Sequence, residues 1–146
     1  MPSAIVSMVT GRMTRGATVE TFERFRKQHT VVLTTFKRDG TSVPTPVSIA
    51  VDADPTKGYV RTWSTAGKAK RIRHNPRVTV APSTFRGRIT GAEVAADARL
   101  LSGAAGDHAR RLLRRKHPIM HGVLVPLGHR LRRYETQHYE LRPATA

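Results

Sequence analysis

The sequence predicts a small, mainly β (α+β) fold: an antiparallel barrel of about six strands with helices at its edges. Three observations carry that prediction. Short β-branched, apolar runs recur down the chain, of which Thr30–Phe36 (TVVLTTF) and Arg77–Pro82 (RVTVAP) are the plainest. Tight turns separate such runs, beginning with Lys37-Arg38-Asp39-Gly40, where Asp-Gly is the expected hairpin chemistry. The strand–helix–strand period of a parallel sheet does not accompany them.

Taken in order, residues 1–16 read as a flexible arm and residues 17–146 as one domain. The apolar residues of the arm are interrupted, and no signal-peptide cleavage pattern follows them. Thr18 is placed to cap a short amphipathic helix that carries Val19, Phe22, Phe25 and Arg26 and runs to Gln28. Thr30–Phe36 is the first strand. Val43–Val51 is the second, with Pro44 and Pro46 at its start. Two prolines forbid regular central pairing and predict an exposed or ligand-facing edge. Asp52–Gly58 turns the chain into a third strand, Tyr59–Ser64. A helix over Lys68–Asn75 follows, stopped by Pro76, and then the strand Arg77–Pro82. Beyond a turn near Arg86-Gly87, Glu93–Leu101 is a strand. Gly106-Asp107 precedes a helix to about Lys116 with Ala109, Leu112 and Leu113 on one face. Pro118 opens a further helix interrupted at Pro126, and Tyr134–Leu141 closes as a strand.

Charge narrows the partners. The chain holds 26 Lys and Arg against 10 Asp and Glu, a net +16. Between Pro55 and Ala92 there is no acid, and a second acid-free stretch runs from His108 to Tyr134. Such a field attracts a nucleic acid, an anionic membrane surface or a multiply charged ligand. A basic nucleic-acid-binding protein without catalysis is therefore the competing reading. Aromatic content of 5% with one Trp offers few stacking platforms, and no helix-turn-helix or finger signature is visible, which argues against a specific nucleic acid. With no cysteine, disulfides and thiolate metal sites are excluded. No apolar run reaches the roughly 18 residues of a membrane span, so a cytoplasmic soluble protein is expected. His117 and His121 are four apart, but Pro118 lies between them and no carboxylate is in register, so no metal site is expected.

The most informative stretch is Arg61–Val78, RTWSTAGKAKRIRHNPRV. A strand ends in hydroxyls, turns through a glycine and enters a short basic helix. Ser64 or Thr65 is placed to cap that helix, with Lys68 and Lys70 close by. Free N–H groups, hydroxyls and cations together make an anion site, and phosphate is the commonest biological anion. No Gly-x-Ser-x-Gly, Walker A or Gly-x-Gly-x-x-Gly motif occurs. With no nucleophile–base pair in view, any chemistry belongs to a bound cofactor.

The element TTFKRDGTSVPTPVSIAVD, followed by STAGKAKRIRHNPRVTVAPS and then RGR, resembles the pyridoxamine 5′-phosphate oxidase-like family, the split β-barrels of flavin and deazaflavin enzymes. The paired elements are most similar to its branch of probable coenzyme F420-dependent reductases. The resemblance covers about Phe22 to Leu101. It implies the FMN-binding split-barrel type of fold and a homodimer with cofactors in grooves between subunits. It implies an oxidoreductase in which F420, or alternatively FMN, transfers hydride to a small electron-poor organic substrate, with no catalytic acid or base among the side chains. It places the phosphate against Ser64, Thr65, Lys68 and Lys70, and the ring along Thr45, Pro46, Val47 and Ser48. Ser83 and the Arg86–Arg88 turn border the site. The wide acid-free belt favours the deazaflavin, whose anionic tail is longer. Where the family carries a longer or charged side chain before the first helix lysine, this chain has Gly67.

Overall fold

A computed structural model describes residues 20–63, 66–118 and 136–144. Seven strands form one antiparallel sheet: β1 (Thr30–Phe36), β2 (Ser42–Ser48), β3 (Ala50–Val51), β4 (Gly58–Trp63), β5 (Arg77–Pro82), β6 (Val94–Leu100) and β7 (Thr136–Pro143). Among the described residues two α-helices accompany them, α1 (Gly67–His74) and α2 (Gly103–Lys116). The strand order is β2-β1-β5-β6-β7-β4-β3. The two edge strands are consecutive in the chain, with Ile49 alone between them. The sheet therefore curls until both of its edges belong to one run, which is a split barrel.

The hairpin β1–β2 forms as its sequence dictates. Gly40 takes a positive φ of 91°, and its N–H closes on the Lys37 carbonyl at 2.9 Å. Asp39 Oδ1 accepts from the Thr41 N–H at 2.9 Å, an Asx turn. The register pairs Val31 with Val47, Leu33 with Thr45 and Thr35 with Val43. Alternation then sends Val31 and Leu33 into the barrel, where they join Ile49, Val60, Val78, Val80, Val94, Ala96, Tyr139 and Leu141. Phe22 and Phe25 close this core and are fully buried. A second, smaller cluster lies outside the barrel: Ala109 and Leu113 of α2 cover Ala50, Tyr59 and Leu101.

Several boundaries differ from expectation. Among the described residues the N-terminal helix is one 3-10 turn, Glu23–Phe25, started by Phe22. Phe22 and Phe25 do share a buried face, but Arg26 leaves the turn to donate to the carbonyls of Val51 and Asp52, and the chain enters β1 four residues later. The second strand breaks at Ile49, because β2 pairs with β1 while β3 pairs with β4. Helix α2 begins at Gly103 and takes in Gly106 and Asp107, which were expected to precede it. The last strand reaches Pro143, past the expected Leu141, and is described from Thr136; its expected start at Tyr134 lies outside the described residues. The expected helix after Pro118 and the cap at Thr18 lie outside the described residues.

Candidate functional site

The barrel is split between β2 and β4. Strand β3 pairs only with Gly58 and Tyr59, so among the described residues no strand covers that side of β4 from Val60 to Trp63. Strands β2 and β4 approach each other across this seam. Pro44 and Pro46, both exposed, stand opposite Thr34 and Val32. A proline has no N–H to give the ladder, so both occupy positions whose backbone faces away from β1. The edge of β2 along the seam is left with carbonyl acceptors, and it resists addition of a foreign strand. Thr45 and Val47 point the other way. Thr45 Oγ1 donates to the Leu33 carbonyl at 3.3 Å, and Val47 packs on the core.

Helix α1 caps one end of the seam. Ala69 and Ile72 bury its inner face. Its N-cap is Ala66, in extended conformation and with no side-chain cap bond, so neither Ser64 nor Thr65 holds the capping position expected for it. The helix begins at Gly67, one residue before the predicted Lys68, which moves the cap to the residue before it. Ser64 and Thr65 lie outside the described residues. Lys68 is half-buried; burial, and then the neighbouring Arg71 cation, pull its amine below the ordinary lysine range. Lys70 is exposed and stands about 200° around the helix from Lys68. The cation that accompanies Lys68 is therefore Arg71, which the sequence reading did not single out.

Gly67 explains how Arg71 gets there. A Cβ at residue 67 would lie 2.8 Å from Arg71 Nη1, so the guanidinium occupies the space a side chain would have filled. Its Nε donates to Thr35 Oγ1 at 2.5 Å, which fixes it to β1. Thr35 is fully buried. Lys68 and Arg71, three apart on one helix face, together with a glycine beside them, would have been the signal to look for.

The other end of the seam is built from hydroxyls. Ser48 pairs with Thr30, and the Ser83 N–H donates to the Thr30 carbonyl at 3.3 Å, so the three stand in one row. Gln28 Nε2 ties the row by donating to the carbonyls of Thr30 (2.9 Å) and Ser83 (2.8 Å). Ser83 is buried and spends its hydroxyl on the Thr84 carbonyl at 3.0 Å. Beyond it a tight turn runs from Thr84 to Arg88, closed by the Thr84 N–H donating to the Arg88 carbonyl (2.9 Å) and the Arg88 N–H donating to Thr84 Oγ1 (3.1 Å), with Gly87 at φ 93°. A Cβ on Gly87 would meet the Pro46 ring at 3.7 Å, so the turn lies against β2. Phe85 at its tip is 83% exposed. The five steps along β1 from Thr30 to Thr35 put this end roughly 17 Å from the Arg71 end. A groove of about 440 Å³ elsewhere, over Asp97, Arg99, Glu140 and Arg142, lies on β6 and β7, across the sheet order from the seam. Its floor is already occupied by the ion pairs of Glu140 with Arg142 (2.7 Å) and Arg99 (3.5 Å).

No protein-family model matches the chain, and no curated protein matches it. Solved structures do. A putative pyridoxamine 5′-phosphate oxidase from Listeria innocua is similar at 12% identity and a TM-score of 0.51, covering 82% of this chain and 86% of its own. An F420 reductase is similar at 15% identity and a TM-score of 0.58, with 88% and 97% covered. The heme storage protein HutZ from Vibrio cholerae is similar at 13% identity and a TM-score of 0.64, with 85% and 88% covered. The fold is that of the pyridoxamine 5′-phosphate oxidase-like split barrels.

Proposed function

We propose that this chain is an oxidoreductase that uses reduced coenzyme F420 to deliver hydride to a small electron-poor organic substrate. The observation that carries the reading is the pairing of Lys68 with Arg71 at the start of α1, at one end of a seam edged by proline. Two adjacent cations with no acid between them suit a phosphate. Carbonyl acceptors on the β2 edge suit a ring that bears N–H groups. These features fit an anionic tricyclic cofactor. When bound, F420 supplies the hydride and solvent supplies the proton. The chain's own residues then have limited tasks. Lys68 and Arg71 hold the phosphate, Ser64, Thr65 and Lys70 adjoin it, and Thr45–Ser48 orient the ring. Ser83, locked to the backbone, shapes the far end. A second copy of the chain completes the groove in a homodimer.

The test is a titration of purified protein with oxidised F420, FMN, FAD and hemin. Micromolar F420 binding, weakened in Arg71→Ala, is expected. Binding of FMN or hemin without F420 would overturn the cofactor assignment and leave the fold untouched. The dimer is checked by solution mass, expected near twice 16.2 kDa.

A further inference from the structure

Arg61 on β4 and His138 on β7 are direct cross-strand partners. Both point to the outer face, the one covered further along by α2. His138 is 9% exposed. Its Nε2 and the Nε of Arg61 are both buried, and among the described residues neither has a hydrogen-bond partner. The charged groups that act on this pair come from α2: Arg110 and Asp107. Asp107 Oδ1 already accepts from Arg110 Nη2, at 3.5 Å. Two guanidiniums and an imidazole thus lie within electrostatic reach of one another, with one acid that is already engaged.

That arrangement is costly as it stands. A buried donor without an acceptor forfeits its solvation, and two like charges brought together make the loss larger. The imidazole responds as a group in a positive field should: burial first, then Arg61 and Arg110, depress His138 to about 4. An oxyanion would reverse each of these terms. It would accept from Arg61 and from the ring, and it would neutralise the surplus cation. The group meets solvent at its rim, where Arg110 is exposed and Arg61 half-exposed, and Arg61 Nε and His138 Nε2 lie buried behind it. It also adjoins the seam. Arg61 belongs to the stretch of β4, Val60 to Trp63, whose edge β3 leaves uncovered.

We propose that Arg61, His138 and Arg110 form an oxyanion-binding site for a carboxylate or phosphate group. The site is separate from the Lys68–Arg71 pair and does not depend on which cofactor the seam takes. Its source is either a free anion or an acid group on a molecule bound in the seam.

The experiment follows the His138 ring by NMR in full-length protein, in a buffer of low anion content, while inorganic phosphate is added. Saturable movement of the His138 titration to higher pH is expected, with a rise in melting temperature. Arg61→Met should weaken the phosphate response roughly tenfold. Arg110→Met should weaken it too, and it keeps the test available if Arg61→Met does not fold. Arg61→Lys should restore part of it. Chloride at equal ionic strength producing the same shift would mean general screening and would overturn the site. An undiminished response in both methionine variants would do the same. The source is read by repeating the titration with bound F420 or FMN. Loss of the phosphate response then assigns the site to an acid group of the bound molecule, and an unchanged response assigns it to a free anion. Failure of the cofactor reading shows separately, as no binding of F420 or FMN by wild-type protein.

Discussion

Acid should weaken this protein well above the range where carboxylates titrate, and His138 is the reason. Its folded value is about 4, against about 6.5 in an unfolded chain. Between those values the unfolded state binds more protons than the folded state, so stability falls as pH falls through this window. A gap of about 2.5 units corresponds to on the order of 3 kcal/mol, most of it lost by pH 4.5. That is a large part of what a domain of this size has. His117, depressed chiefly by burial, adds loss of the same sign. Asp52 acts lower. Burial opposes its ionisation, but the His108 bond and the Asp54 N–H outweigh it, and the net value lies below the ordinary carboxylate range. The assay is urea unfolding at pH 7, 5.5 and 4.5 in a buffer poor in anions. Wild-type protein should lose on the order of 3 kcal/mol across this series, and His138→Gln should lose clearly less. An identical pH slope in the variant would refute the assignment of the loss to His138.

Other expectations follow from single contacts. Lys68→Ala removes a half-buried cation and should weaken F420 binding by one to two powers of ten, about 1.5–3 kcal/mol, measured by fluorescence titration. Lys70→Ala, on the exposed side of the helix, should cost less in the same assay. Leu113→Ala empties the cluster that seats α2 on the barrel and should cost about 2–5 kcal/mol in denaturant unfolding. Gly87→Ala forces a Cβ into the left-handed region at the turn beside Pro46 and should cost about 1–2 kcal/mol in the same measurement. Any DNA binding driven by the +16 charge should collapse between low and near-physiological salt.

Local chemistry was legible and non-local pairing was not. The bounds of β1 and β5 follow from β-branched runs punctuated by Asp39-Gly40 and Asn75-Pro76. The prolines of β2 mark an edge, as a residue without an N–H must. The start of α2 was hidden because Gly103, Ala104 and Ala105 are small and exposed, so they add nothing to an apolar period. Arg71 was one of many arginines until Gly67 and Thr35 were seen to position it. Arg61 and His138 stand 77 positions apart in the chain, and only the β4–β7 register joins them. Nothing local to either residue signals the other.

The place of β7 in the sheet sets a constraint on how the molecule is made. The last strand in the chain lies between β6 and β4. A nascent chain that has emerged only as far as α2 can form two separate ladders, β2-β1-β5-β6 and β4-β3, with no strand pairing between them. Its barrel interior stays open and its β4 edge unpaired until β7 leaves the ribosome. Such an edge is a template for intermolecular pairing, so the interval before β7 inserts is when this protein is most exposed to aggregation.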